Sequence, residues 1–351
     1  LGAKWVDPAN KNILTPTIEI EETGVNATRS DWALEHRIRS FDPVAGHYTT
    51  SLANTEWQPT RSYVAENEGW KYLGRPTLFG PRMQILEQKD MANGYQASKL
   101  SLTERTPIAQ TANCNFNSFT YCSFENSKQF STGTWFDGEV TATGATGVVL
   151  QPGSTSLSAH SGNSYVSVPA GSTGAYFRSA PSPVTDGSEL LQTGLMCGRT
   201  YRAMVWIHTS SAAQAKLRMG LTGSYTTEVS TSMSDPGALQ VGDWIRLDVQ
   251  ITVPVDYTTS STDQGLTVRI DNSAGSAPAY FDDLLFYPVD GSFSGAVWDE
   301  RSGRMTDAIG PEGFLTRYTY AADGSVILVE QETENGFSKV QENSFGFAKP
   351  F

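Results

Sequence analysis

The sequence predicts an all-β protein, and three observations carry the prediction. Apolar residues alternate with polar ones in short runs, as where Leu247, Val249 and Ile251 lie opposite Asp248, Gln250 and Thr252. Gly, Ser and Thr are abundant, and the charged fraction of 18% falls below a norm of roughly 25%. Apolar segments such as Ala279 to Pro288 are short and aromatic, which disfavours a helix.

A chain of 351 residues allows two or three units, each able to bury a core. A net charge of -12 argues against nucleic acid as a partner, since phosphates are repelled over most of the surface. It suits an extracellular or cell-surface location. No apolar run approaches the roughly 20 residues of a membrane helix. Leu1-Gly2-Ala3-Lys4-Trp5 has no signal-peptide pattern, so the chain reads as a piece of a longer polypeptide. Cys114, Cys122 and Cys197 lack a Cys-x-x-Cys pair, which speaks against a zinc cluster. They fit either one disulfide with a free thiol or three buried thiols.

In chain order, Ile18 and Ile20 alternate with Glu19 and Glu21 as in a strand before a turn at Gly24. Asn26-Ala27-Thr28 is a glycosylation sequon. From Asp31 to Leu102, aromatic anchors and turn signals (Trp57, Trp70, Phe79-Gly80-Pro81) predict a meander of short strands. Residues 1-122 form one region on this reading, 123-289 a second and 290-351 a third.

The third region repeats. Trp298-Asp299 leads to Gly303, Tyr320-Ala321-Ala322-Asp323 leads to Gly324, and a further turn falls at Asn335-Gly336. A weaker echo runs from Phe79 through Ile85-Leu86-Glu87 and Asn93-Gly94 to Leu100. Each unit is one hairpin that buries its apolar face only by stacking on neighbours. These residues resemble the RHS/YD-repeat family, which implies an RHS/YD-like hairpin meander, and residues 86 to 125 resemble the segment before an inserted domain in such bacterial surface proteins.

Between the flanks, eight strands are predicted: Val148 to Leu150, Tyr165 to Val168, Ala175 to Phe177, Thr200 to Ile207, Ala215 to Leu221, Trp244 to Val253, Leu266 to Ile270 and Tyr280 to Tyr287. One apolar face on each implies two packed sheets. Phe124-Glu125, His160-Ser161-Gly162, Gly198-Arg199-Thr200-Tyr201 with Trp206, Asp243-Trp244 and Phe281-Asp282-Asp283 follow in the order of the jelly-roll carbohydrate-binding modules, which this region resembles. The resemblance implies a jelly-roll β-sandwich with a structural calcium held by Glu125, Asp282 and carbonyls near Ser161. Calcium takes six to eight hard oxygens, and two carboxylates from opposite ends of a domain would be pinned together by it. The same acids also read as acceptors for backbone N–H groups.

Glycan binding needs aromatic faces with polar groups at their rim. Trp135, Tyr225 and Tyr257 fall in loop-like sequence and are the glycan-binding candidates, while Trp206 and Trp244 lie in strands and read as core. No Gly-x-Ser-x-Gly elbow, His-Glu-x-x-His or phosphate loop is present, so no catalytic residue is assigned and the chain is expected not to be an enzyme. The expectation is a structural or adhesive segment of a secreted bacterial surface protein, with a glycan or another surface protein as partner. The alternatives are an accessory carbohydrate-binding region of an extracellular enzyme or part of an RHS-type toxin shell.

Overall fold

A computed structural model describes residues 19–23, 34–37, 41–42, 47–48, 70–80, 84–90, 94–103, 106–131, 133–137, 139–143, 147–179, 194–236, 238–259, 264–299 and 301–343. The sequon at Asn26 and the anchor at Trp57 lie outside them. The chain forms two compact units, the first made mostly of residues before 99 and the second of the remainder.

In the first unit, strands β1 (Glu19–Thr23), β2 (Leu34–Arg37), β5 (Trp70–Phe79), β6 (Ile85–Asp90) and β7 (Tyr95–Leu100) form an antiparallel sheet in the order β2-β1-β5-β6-β7. Strands β3 (Phe41–Asp42) and β4 (His47–Tyr48) pair separately. The β6–β7 hairpin closes where the backbone N–H of Asp90 donates to Gly94 O, and the Asp90 carboxylate accepts the N–H of Gly94 in return. The predicted meander is therefore present in the described residues.

The second unit holds a jelly-roll β-sandwich. One sheet runs β13 (Val149–Pro152), β14 (Ser164–Val168), β22 (Ala279–Pro288), β16 (Thr200–His208), β20 (Trp244–Thr252) and β19 (Leu239–Val241), with β9 (Thr120–Cys122) also paired to β22. The facing sheet runs β10 (Ser127–Phe130), β11 (Gly133–Phe136), β12 (Val140–Thr143), β15 (Tyr176–Ser179), β21 (Gly265–Asp271), β17 (Lys216–Thr222) and β18 (Thr227–Ser232). Val205, Ile207, Leu247, Phe281 and Phe286 from the first sheet meet Phe136, Phe177, Leu217, Met219 and Val268 from the second in one buried core. All eight predicted strands are there.

The remaining strands are β8 (Pro107–Ala112), β23 (Ser292–Asp299), β24 (Arg304–Ile309), β25 (Leu315–Tyr320), β26 (Val326–Thr333) and β27 (Gly336–Glu342); β8 pairs antiparallel with β23, and β23 to β27 follow as a run of consecutive antiparallel hairpins, in the order β8-β23-β24-β25-β26-β27. Gly303, Gly324 and Gly336 adopt φ of 67°, 94° and 99° at its turns, the left-handed region that costs glycine least. Residues 99–122 and the C-terminal hairpins belong to the same compact unit as the sandwich. The reason is physical. Strand β9 completes a sandwich sheet, and the outer face of that sheet carries Trp206 and Trp244, which need cover.

Candidate functional site

Strand β22 holds two adjacent acids on one face, which regular alternation forbids. A bulge resolves this. Met204 of β16 pairs with Leu285, but Trp206 pairs with Asp282, so β22 carries one extra residue, and Asp283 sits at φ 49°. Phe281 and Leu284 thereby both reach the core, and Asp282 and Asp283 both turn away from it.

The acids converge on the turn at His160–Ser164. Asp282 Oδ2 accepts the backbone N–H groups of His160 (2.8 Å) and Ser161 (3.2 Å). Glu125 Oε1 accepts those of Asn163 and Ser164, both at 2.8 Å. Asp283 accepts hydroxyls from Tyr121 (2.7 Å) and Ser161 (2.8 Å), and its other oxygen meets His160 Nδ1 at 2.6 Å. His160 Nε2 lies 3.0 Å from Glu332 of β26, and the imidazole stacks on Trp206 with centroids 4.1 Å apart. Arg317 of β25 donates to His160 O and pairs with Asp307.

Electrostatics follow from this packing. Burial pulls the His160 pKa down, but hydrogen bonds to Asp283 and Glu332 outweigh it and raise the value to about 9, so the ring is an imidazolium. Burial pushes Glu125 up to about 7 against the two N–H groups that favour its charged form. Asp137, buried beneath it, rises to about 6 for the same reason. Asp282 is raised by burial and by the charges of Asp283 and Glu125.

The structure thus brings Glu125, Ser161 and Asp282 together as the sequence predicts, but as an N–H cradle. Glu125 Oε1 and both carboxylate oxygens of Asp282 face N–H donors. Among the described residues no group of three or more His, Cys, Asp or Glu is arranged to hold a metal. Nor is His160 placed as a base for a solute, because both ring nitrogens are engaged and the residue is 4% exposed. This cluster ties the hairpins to the sandwich.

Among the described residues the opposite sheet leaves its outer face open. Register aligns a row across its strands: Lys128 opposite Trp135, then Thr141, Tyr176, Arg269, Arg218 and Ser230. Trp135, Thr141, Tyr176, Arg269 and Arg218 each follow or precede a core residue, so alternation turns the row outward. Trp135 packs edge-on against Phe130, which is 43% exposed, and the Arg178 guanidinium lies 5.8 Å from the Tyr176 ring centroid. A second row carries Thr267, Gly220 and Glu228. A Cβ built on Gly220 would meet nothing closer than 3.9 Å, so the floor dips there.

Of the predicted glycan-binding aromatics, Trp135 lies on this face, in β11 rather than in a loop. Tyr225 lies in the β17–β18 turn, at the far side of the sheet order, with its hydroxyl on Asp256. Tyr257 is corrected to a core residue: it is 7% exposed, packs into the main cluster and donates its hydroxyl to Thr222 O. Sequence reading missed Arg218 and Arg269, whose signal is their alternation with Leu217, Met219, Val268 and Ile270. Cys114 and Cys122 are buried and Cys197 is exposed.

No family model matches the sequence, and no curated protein matches it. Among solved structures, the chain is similar to the C-terminal family 22 carbohydrate binding module of Clostridium thermocellum Xyn10B, at 19% identity and a TM-score of 0.31, covering 50% of this chain and 96% of that one. It is similar to the CBM22-1 xylan-binding domain of Paenibacillus barcinonensis Xyn10C, at 15% identity and 0.29, covering 48% and 93%. It is also similar to a cyclase from Fischerella sp., at 14% identity and 0.28, covering 49% and 84%.

Proposed function

We propose that the chain is a non-catalytic, glycan-binding segment of a larger secreted or cell-surface protein, and that the outer face of the β10–β18 sheet holds the sugar. The observation that carries this reading is the single row in which Trp135 and Tyr176 stand beside Arg269 and Arg218. Aromatic faces stack on sugar rings, and guanidinium and hydroxyl groups at their edge take the sugar hydroxyls. Trp135 and Tyr176 are separated by one strand, so at the spacing of adjacent strands they lie about 10 Å apart. That separation suits an oligosaccharide lying across the strands rather than a lone ring. On the same face Arg218 bridges Glu228 and Asp271 at 2.8 and 2.6 Å.

The hairpin run supports the larger-protein part of the reading, because repeated hairpins of the RHS/YD-like kind are extended by adding units. Binding to a glycan array by the whole chain tests the central part. Retention of at least one oligosaccharide, lost in Trp135→Ala and Tyr176→Ala with melting unchanged, is expected. Retention that survives both substitutions would place the site elsewhere.

A further inference from the structure

Arg269 stands out on this face by what it lacks. It is half-buried, enters no ion pair among the described residues, and its Nε–H is buried without an acceptor. Arg218, one strand away in the same row, also has its Nε–H buried without a hydrogen-bond acceptor, but its charge is met by Glu228 and Asp271, and it is this counter-charge that Arg269 lacks. Removing a guanidinium from water without a counter-charge is costly, and sheets of this kind ordinarily place an acid opposite such a group. Here the residue opposite on one side is Tyr176 and on the other Arg218, a like charge. Lys128 adds a further cation at the exposed end of the row. In a chain of net charge -12, this is a local concentration of positive charge beside an aromatic platform.

We propose that the ligand of this face is an acidic sugar, its carboxylate or sulfate group taken by Arg269 while neighbouring rings stack on Tyr176 and Trp135. The proposal rests on the glycan-binding reading above and adds the class of glycan. Arginine suits the task because its planar fork meets a carboxylate through two parallel N–H groups. Charges elsewhere on the acidic surface are screened beyond about 8 Å at physiological ionic strength, so they do not cancel the attraction at contact distance. They do oppose a long polyanion, which favours a glycan with spaced acid groups over nucleic acid or a uniformly charged polymer.

The test uses the full chain on an array of neutral, carboxylated and sulfated oligosaccharides, with methyl-esterified forms of the carboxylated members. The expected result is retention of carboxylated or sulfated members, with affinity falling roughly tenfold or more on methyl esterification and in Arg269→Gln, and partial recovery in Arg269→Lys. Gly220→Glu, which adds a negative charge to the floor of the face, is expected to weaken the same ligands selectively. The two members that respond, carboxylated or sulfated, distinguish the source of the acid group. Neutral sugars bound best, with Arg269→Gln without effect, would overturn the acidic class and leave the glycan reading standing. No sugar bound by the unsubstituted chain, or tighter binding to a single-stranded oligonucleotide, would overturn both.

Discussion

His160 is the residue on which the second unit pivots, because its ring bridges Asp283 of the sandwich to Glu332 of β26 and stacks on Trp206 while its carbonyl oxygen accepts from Arg317 of β25. His160→Ala leaves Asp283 and Glu332 buried without their cation, and breaking a buried pair in this way costs about 3–5 kcal/mol. A denaturant melt is expected to show a loss of that order, and an unchanged midpoint would remove the latch from the account. The same groups set a pH dependence. His160 rises from 6.5 to about 9, Glu125 from 4.5 to about 7 and Asp137 from 3.8 to about 6, so the folded state binds protons more tightly at all of them. Stability is therefore fully present below the unfolded values and is lost as pH rises through 6, 7 and 9. Melting at pH 5 is expected to lie above melting at pH 8.5; the reverse order would show that these groups titrate otherwise. Much of this cluster was legible in the residues, since two acids among Phe281, Leu284 and Phe286 demand partners. Backbone N–H groups were one of two readings of what they meet, and the sequence could not choose between them and calcium because N–H donors carry no signature in side-chain identity.

At the scale of elements, the hairpins were read from glycine spacing because the turns need a left-handed φ that Gly303, Gly324 and Gly336 supply. Strands β10, β11, β12 and β18 escaped because they are only four to six residues long and, β12 and β18 above all, rich in Ser and Thr, which looks like loop. Trp135 was misplaced with them, and Tyr257 was misplaced the other way, since a loop aromatic that folds back under a sheet gives no periodic signal. The seating of β23 makes a prediction of its own. A Cβ at Gly295 would come within 2.4 Å of Ile309 Cγ2 and 3.1 Å of the Tyr121 ring. Gly295→Val is thus expected to destabilise the unit by about 1–3 kcal/mol through overpacking, read by urea titration. An unaffected midpoint would mean that β23 is seated more loosely than this contact implies.

At the scale of the whole molecule, the sandwich and hairpins of the second unit share one buried polar cluster, and the exposed face of the other sheet is left for a ligand. Calcium enters this account as a test. The N–H cradle around Glu125 and Asp282 predicts that melting in calcium and in chelator coincide, whereas a calcium-dependent rise abolished by Glu125→Gln and Asp282→Asn would reinstate the metal. Fold class was readable from alternation along single strands, but the glycan face was not, because it is assembled by register between strands distant in sequence, Trp135 to Arg269 among them. Backbone amide chemical-shift mapping during titration with the best-retained oligosaccharide tests the central claim most directly. Perturbations concentrated on β11, β15 and β21 around Trp135, Tyr176 and Arg269 are predicted, and perturbations confined to the turn around Tyr225, or to the covered sheet, would contradict it.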